Sequence, residues 1–258
     1  MIRPRIIPSL LLRDKGLVKG INFSDYKYVG DPINAVRIFS KMEVDELIFL
    51  DIFATNENRT VSLELTQNIA DECFMPFGVG GGIKNIEQIE KLLKCGAEKV
   101  IINTYAYDNP DFVTEASKIF GSQAIMISVD VKKEKGKYVV CTNSGQKDKK
   151  TDLLEYLKLL ESKGAGEILL NSIERDGTLS GFDIELNSIA SESLDIPLVC
   201  CGGAWSLSHI EEIIINTQVS AVAAGSMFVF QGSRNGVLIN YPREEKLNDM
   251  FERIRKSR

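Results

Sequence analysis

The run AIMISVD at 124–130 turns its side chains alternately to two faces, so Met126, Ser128 and Asp130 share one face and that face ends on a carboxylate. A carboxylate closing an otherwise apolar strand is placed to take up or release a proton; the plain alternative is a solvated strand-end cap. A second run, IIPSLLLRD at 6–14, aligns with IMISVDVKK at 125–133 at an offset of 119 and sets Leu11 where its mate carries Asp130. Two-fold symmetry would put an aspartate at both positions, so Leu11 marks a missing one. The other polar groups at strand ends are Asp51, Asn103, Asn171, Ser172, Asp176 and Ser226. Lys19, in DKGLVKGINF, reads as a loop lysine able to close over an anion.

Two glycine clusters, Gly80–Gly82 and Gly202–Gly203, stand at strand ends before helices, and Gly225–Ser226 follows the last strand. Backbone N–H groups in such turns form anion sites, and sites on opposite sides suit a ligand with a phosphate at each end. At the opposite strand ends lie Arg5, Glu46, Lys99 and Glu167. Two cations and two anions there can close a ring of ion pairs, and buried charges need such pairing. Ser9, Gly78, Ser128 and Cys201 are small for interior positions and leave room for a narrow passage behind that ring.

Eight short apolar runs must position these groups: 5–11, 47–52, 76–81, 99–103, 124–130, 167–172, 197–203 and 221–226. Segments with apolar residues every three or four positions separate and follow them, often opening on Asn, Asp or Ser and closing at Gly. DELIFLD at 45–51 resembles GEILLNS at 166–172, and PFGVGGG at 76–82 resembles PLVCCGG at 197–203, both at an offset of 121. Eight alternating pairs in two similar halves predict an α/β fold, a (β/α)8 TIM barrel built from two repeated half-barrels as one domain over 1–258; a doubly wound open sheet is the alternative.

Composition narrows the class. An apolar share of 44% over 258 residues suits a folded core, and a net charge of −5 disfavours nucleic-acid partners. No run approaches a membrane span, and five cysteines without metal or redox spacing suit a reduced, cytoplasmic protein with no metal and no cofactor. The one histidine, His209, falls in a predicted outer helix and reads as a packing residue.

RIIPSLLLRDKGLVKGINF, DELIFLDI, VGGGI, EKVIINT, FGSQAIMISVDVK, GAGEILLNSIERDGT and CGGA together resemble the cyclase subunit family of imidazole glycerol phosphate synthase over nearly the whole chain. The resemblance implies a barrel that docks a glutaminase on its N-terminal face. Ammonia would enter through a gate matching Arg5, Glu46, Lys99 and Glu167 and meet a two-phosphate ribulosyl nucleotide at the opposite rim. It further implies ligand contacts at Asp51, Gly82, Asn103, Thr104, Asn171, Asp176, Gly177, Gly203, Gly225 and Ser226, with Lys19 on a mobile loop. The family's catalytic pair is two aspartates; Asp130 matches one and Leu11 replaces the other. Ser9, Asn171 and Cys201 also depart from the family pattern, as does VFQGSRNGVLINYPR after the last strand.

IIPSLLL with LINYP resembles the glycosyl-amidation-associated branch, whose members join a glutaminase and a sugar amidotransferase in making acetamidino sugars for surface polysaccharide or flagellar modification. The sequence reading therefore favours an ammonia-receiving subunit for sugar amidation, with a working cyclase of histidine biosynthesis as the alternative. A scaffold that only activates its glutaminase is the third, non-enzymatic reading.

Overall fold

The computed structural model describes residues 3–232 and 235–257. Ser233 and Arg234, within the divergent run after the last strand, lie outside the described residues. Eight parallel strands form the barrel: β1 (Arg5–Arg13), β2 (Leu47–Asp51), β3 (Phe77–Gly80), β4 (Lys99–Ile102), β5 (Ile125–Glu134), β6 (Glu167–Ser172), β7 (Leu198–Cys201) and β8 (Ala221–Ala224). Each pairs with the next, and β8 pairs back onto β1 with Arg5 opposite Ala221 and Ile7 opposite Ala223. That last pairing closes the sheet and excludes the doubly wound alternative.

Helices α1 (Pro32–Lys41), α2 (Leu63–Glu72), α3 (Ile86–Lys94), α4 (Asp111–Phe120), α5 (Leu153–Ser162), α6 (Ile184–Ser193), α7 (Leu207–Asn216) and α8 (Glu244–Ser257) surround the barrel. Their starts are fixed by local chemistry. Asp31 accepts from the Asn34 N–H with Pro32 at the first helical position, and Asn85 and Gln88 form a capping box. The larger apolar core lies between strands and helices; a smaller one, built from Ile7, Ile48, Ile101, Met126, Leu169, Val199, Cys201, Ala221 and Ala223, fills the barrel itself. Among the described residues no helix is long and apolar enough to cross a membrane.

Two features differ from the sequence reading. β1 and β5 run past 11 and 130, and each continues into an antiparallel hairpin: Gly16–Ile21 with Ser24–Gly30 after β1, and Lys137–Thr142 with Lys147–Asp152 after β5. The stretch around Lys19 is therefore a strand, not a loop. The hairpins occupy equivalent places in the two halves, so they extend the repeat to the insertions.

Candidate functional site

The C-terminal mouth of the barrel contains a cavity of about 440 Å³. Asp130 lies on its wall and is only 7% exposed. Burial pushes its carboxyl up to about 7; a hydrogen bond from Asn103 Nδ2 at 2.9 Å opposes this and the nearby Asp176 carboxylate adds to it. A carboxyl that titrates near neutrality can both accept and return a proton under ordinary conditions. Leu11 lines the same cavity, paired with Leu50 across β1 and β2, while Asp130 is paired with Asn171 across β5 and β6.

Most of the residues expected at the site from sequence meet here. Lys19, Asp51, Gly82, Asn103, Thr104, Asn171, Asp176 and Gly225 all line the cavity with Asp130 and Leu11; Gly177, Gly203 and Ser226 do not. Lys19 is 5% exposed: its Nζ stands 4.0 Å from Asp176 Oδ1, and a Cβ added at Gly225 would lie 2.2 Å from that nitrogen. Asp176 Oδ2 and Asn171 Oδ1 are buried with no hydrogen-bond partner among the described residues. Unpaired buried acceptors are costly and mark where a ligand's donors would be welcomed.

Asp51 behaves differently. Arg59 clamps it with both terminal nitrogens, one of them 3.1 Å from Oδ1, and the same oxygen accepts from the N–H groups of Phe53 at 3.2 Å and Ala54 at 3.1 Å. Its carboxylate thus organises the loop after β2. Arg59 escaped the sequence reading because nothing in its spacing announces the pairing. That loop closes on Gly82, whose φ of +66° suits glycine and where a Cβ would lie 1.9 Å from the Arg59 carbonyl. Its counterpart in the second half, Gly203 at φ +102°, meets the Gly181 carbonyl in the same way.

The hairpins wall the cavity. Phe23 and Tyr26 of the first and Asn143, Ser144, Gln146 and Lys147 of the second reach its lining. Asn22 fastens the first hairpin to the loop after β6, its N–H donating to the Asp176 carbonyl at 2.9 Å and its Nδ2 to the Glu174 carbonyl at 3.1 Å. In the second, the Asn143 N–H donates to Thr104 Oγ1 at 3.0 Å and Ser144 Oγ to the Ile52 carbonyl at 2.6 Å. The two hairpins meet where Phe23 packs beside Gly145. His209 is half-buried against Gly181 and takes no part in the lining.

At the barrel floor the four charges form the expected ring. Arg5 pairs with both Glu46 and Glu167, and Lys99 Nζ lies 3.0 Å from Glu46 and 2.8 Å from Glu167. Burial pulls the Arg5 guanidinium down, and Glu167 and Glu46 outweigh it, so its pKa is raised. Between ring and cavity pack Ile7, Ile48, Met126, Val199 and Ala221; the cavity lining reaches down to Ser9, Ile101, Ser128, Leu169 and Cys201. Among the described residues no group of three or more His, Cys, Asp or Glu could hold a metal ion.

Comparison with known proteins agrees with this architecture. The model of the family described as "Histidine biosynthesis protein" matches residues 5–234. A putative imidazole glycerol phosphate synthase subunit of Pseudomonas aeruginosa is 47% identical over 249 residues, covering 96% of this chain and 99% of that protein. A similarly named putative subunit of Leptospira interrogans is 42% identical over 253 residues, covering 97% of this chain and 100% of that protein. The imidazole glycerol phosphate synthase subunit HisF of Streptococcus mutans is 41% identical over 229 residues, covering 88% and 91%. Of the two readings weighed from sequence, these relatives support the cyclase better than sugar amidation, which reverses their order.

Proposed function

The chain belongs to the histidine biosynthesis protein family, and on that premise we propose that it works in the cytoplasm as the cyclase subunit of an imidazole glycerol phosphate synthase. In this reading residues 1–258 act as one domain. A glutaminase docks on the N-terminal face, where Phe74 stands 87% exposed beside a groove bordered by Glu98, next in sequence to Lys99 of the ring. Ammonia passes the ring of Arg5, Glu46, Lys99 and Glu167 and crosses the layer of Ile7, Ile48, Met126, Val199 and Ala221 to reach the small side chains of Ser9, Ser128 and Cys201 in the cavity lining. At the mouth it meets a ribulosyl nucleotide whose two phosphates are held by Gly82, Asn103 and Thr104 on one side and, on the other, by Gly225 within the cavity and Gly177, Gly203 and Ser226 outside its lining. Lys19 and Asp176 line the site beside it.

The observation that carries this reading is Asp130, buried in the cavity wall and poised near neutrality. Its carboxylate removes a proton from the attacking nitrogen and returns it as the ring closes. Losing one acid–base partner costs about 10²–10⁴ in rate, so a chain with Leu11 turns over more slowly than one with two aspartates. Leu11 is also the observation that favours the second reading, in which the barrel delivers ammonia to a sugar amidotransferase and performs no cyclisation.

Ammonium and the ribulosyl nucleotide given to the purified protein separate the two. Product formation by the native chain supports the cyclase. Silence from the native chain, with activity appearing in Leu11→Asp, leaves amidation as the function. Stimulation of glutamine hydrolysis by a chain whose Leu11→Asp variant is also silent points to the scaffold alone.

A further inference from the structure

Tyr26 lies on the strand Ser24–Gly30 of the first hairpin and lines the same cavity as Leu11, Asp130 and Asp176. Its surroundings seat the ring. A Cβ added at Gly20 would fall 2.8 Å from Tyr26 Cδ1, so the ring lies directly against the hairpin backbone and only glycine leaves it room. Phe53, from the loop after β2, meets it edge-on with 5.6 Å between centroids and an interplanar angle of 70°. Among the described residues no hydrogen bond engages the hydroxyl, which leaves its proton available to a ligand. Burial, followed by the Asp176 and Asp130 carboxylates, raises the pKa of the phenol, so it stays protonated at neutral pH.

We propose that Tyr26 is the second proton-carrying residue of this site, standing in for the carboxyl that Leu11 lacks by protonating the carbonyl oxygen of a bound phosphorylated ketose. The inference rests on the cyclase reading. As ammonia attacks, the C–N bond forms while the carbonyl π pair moves onto oxygen. The Tyr26 hydroxyl gives that oxygen its proton, and the Asp130 carboxylate takes one proton from the nitrogen. The carbinolamine leaves neutral; Asp130 then holds a proton and Tyr26 is a phenolate. Return of the proton from Asp130 through the new hydroxyl restores both residues, with no outside reactant. An alkoxide forming on the ligand is more basic than a phenolate, so even a phenol held protonated by its neighbours is a competent donor.

Tyr26→Phe removes one oxygen and keeps the ring in its seat. With ammonium and the ribulosyl nucleotide, kcat is expected to fall by about 10²-fold with KM moving less than about twofold. Adding Leu11→Asp to Tyr26→Phe should recover at least about tenfold of the loss, because a carboxyl then replaces the phenol. Matching thermal melts check that both variants fold. If the native chain turns over and Tyr26→Phe keeps its kcat, or loses only in KM, or is not recovered by Leu11→Asp, this inference falls and the cyclase reading stands. If the native chain does not turn over at all, the cyclase reading falls and takes this inference with it.

Discussion

The two halves of the barrel mouth are built on one plan and furnished differently. On the first half the paired inward positions are Leu11 and Leu50; on the second, the same two positions are Asp130 and Asn171. One wall is aliphatic and the other carries the carboxyl, the amide and, just beyond, the unpaired oxygen of Asp176. The apolar wall is not idle, because low polarity opposite Asp130 helps keep its carboxyl from ionising. The comparison teaches that the duplicated strands have diverged into an aliphatic wall and a polar one.

Asp130→Asn breaks the comparison most severely, since it removes the one carboxyl among the four paired inward positions. Turnover with ammonium should fall by about 10²–10⁴-fold. The same change should make the protein more stable. The folded carboxyl titrates near 7 while an unfolded aspartate titrates near ~3.9, so the native state binds the extra proton between those values and loses stability as pH rises through them. The advantage of Asp130→Asn in denaturant melts should therefore be absent below about pH 4, grow through the interval and level off above about pH 7.

Lys99→Ala sharpens the comparison from a distance. If proton chemistry belongs to the barrel mouth, ammonium-driven turnover should stay within about twofold, while the yield of product per glutamine hydrolysed in the glutaminase complex changes by more than that. Chemical denaturation should show a loss of roughly 1–3 kcal/mol, less than for a fully buried pair because Arg5 still answers both glutamates. Unchanged coupling would count against passage through the ring.

Leu50→Asn gives the smallest expected effect. It copies the Asn171 side onto the aliphatic wall, at a cost in stability of about 1 kcal/mol for a partly buried polar group. Turnover should change little; a large gain would mean the first half is short of a polar group rather than adapted to do without one.

The strands of the barrel were legible because each is a short apolar run between helical periods, and the rule that active sites form at strand C-termini then pointed to Asp130, Asn103 and Asp176, which the structure gathers around one cavity. The hairpins were not. SDYKYVG is mostly exposed and KDKKTD is, Thr151 aside, made of poor strand formers; both are strands because the neighbouring edge offers backbone partners, a tertiary effect. Missing the first hairpin hid Tyr26, although its period-two spacing from Tyr28 was a signal. The tendency of Asp130 to stay protonated was also beyond the sequence, since burial is its main cause.

The ring at the floor has a bearing on how the halves recognise each other. Arg5, Glu46 and Lys99 come from the first half, a surplus of one positive charge, and the second contributes Glu167 alone. A barrel assembled from two first halves would set four cations around two carboxylates; one made from two second halves would bury two glutamates with no cation at all. Only the mixed barrel has an electrically neutral ring, so these four charges also disfavour self-pairing of either half.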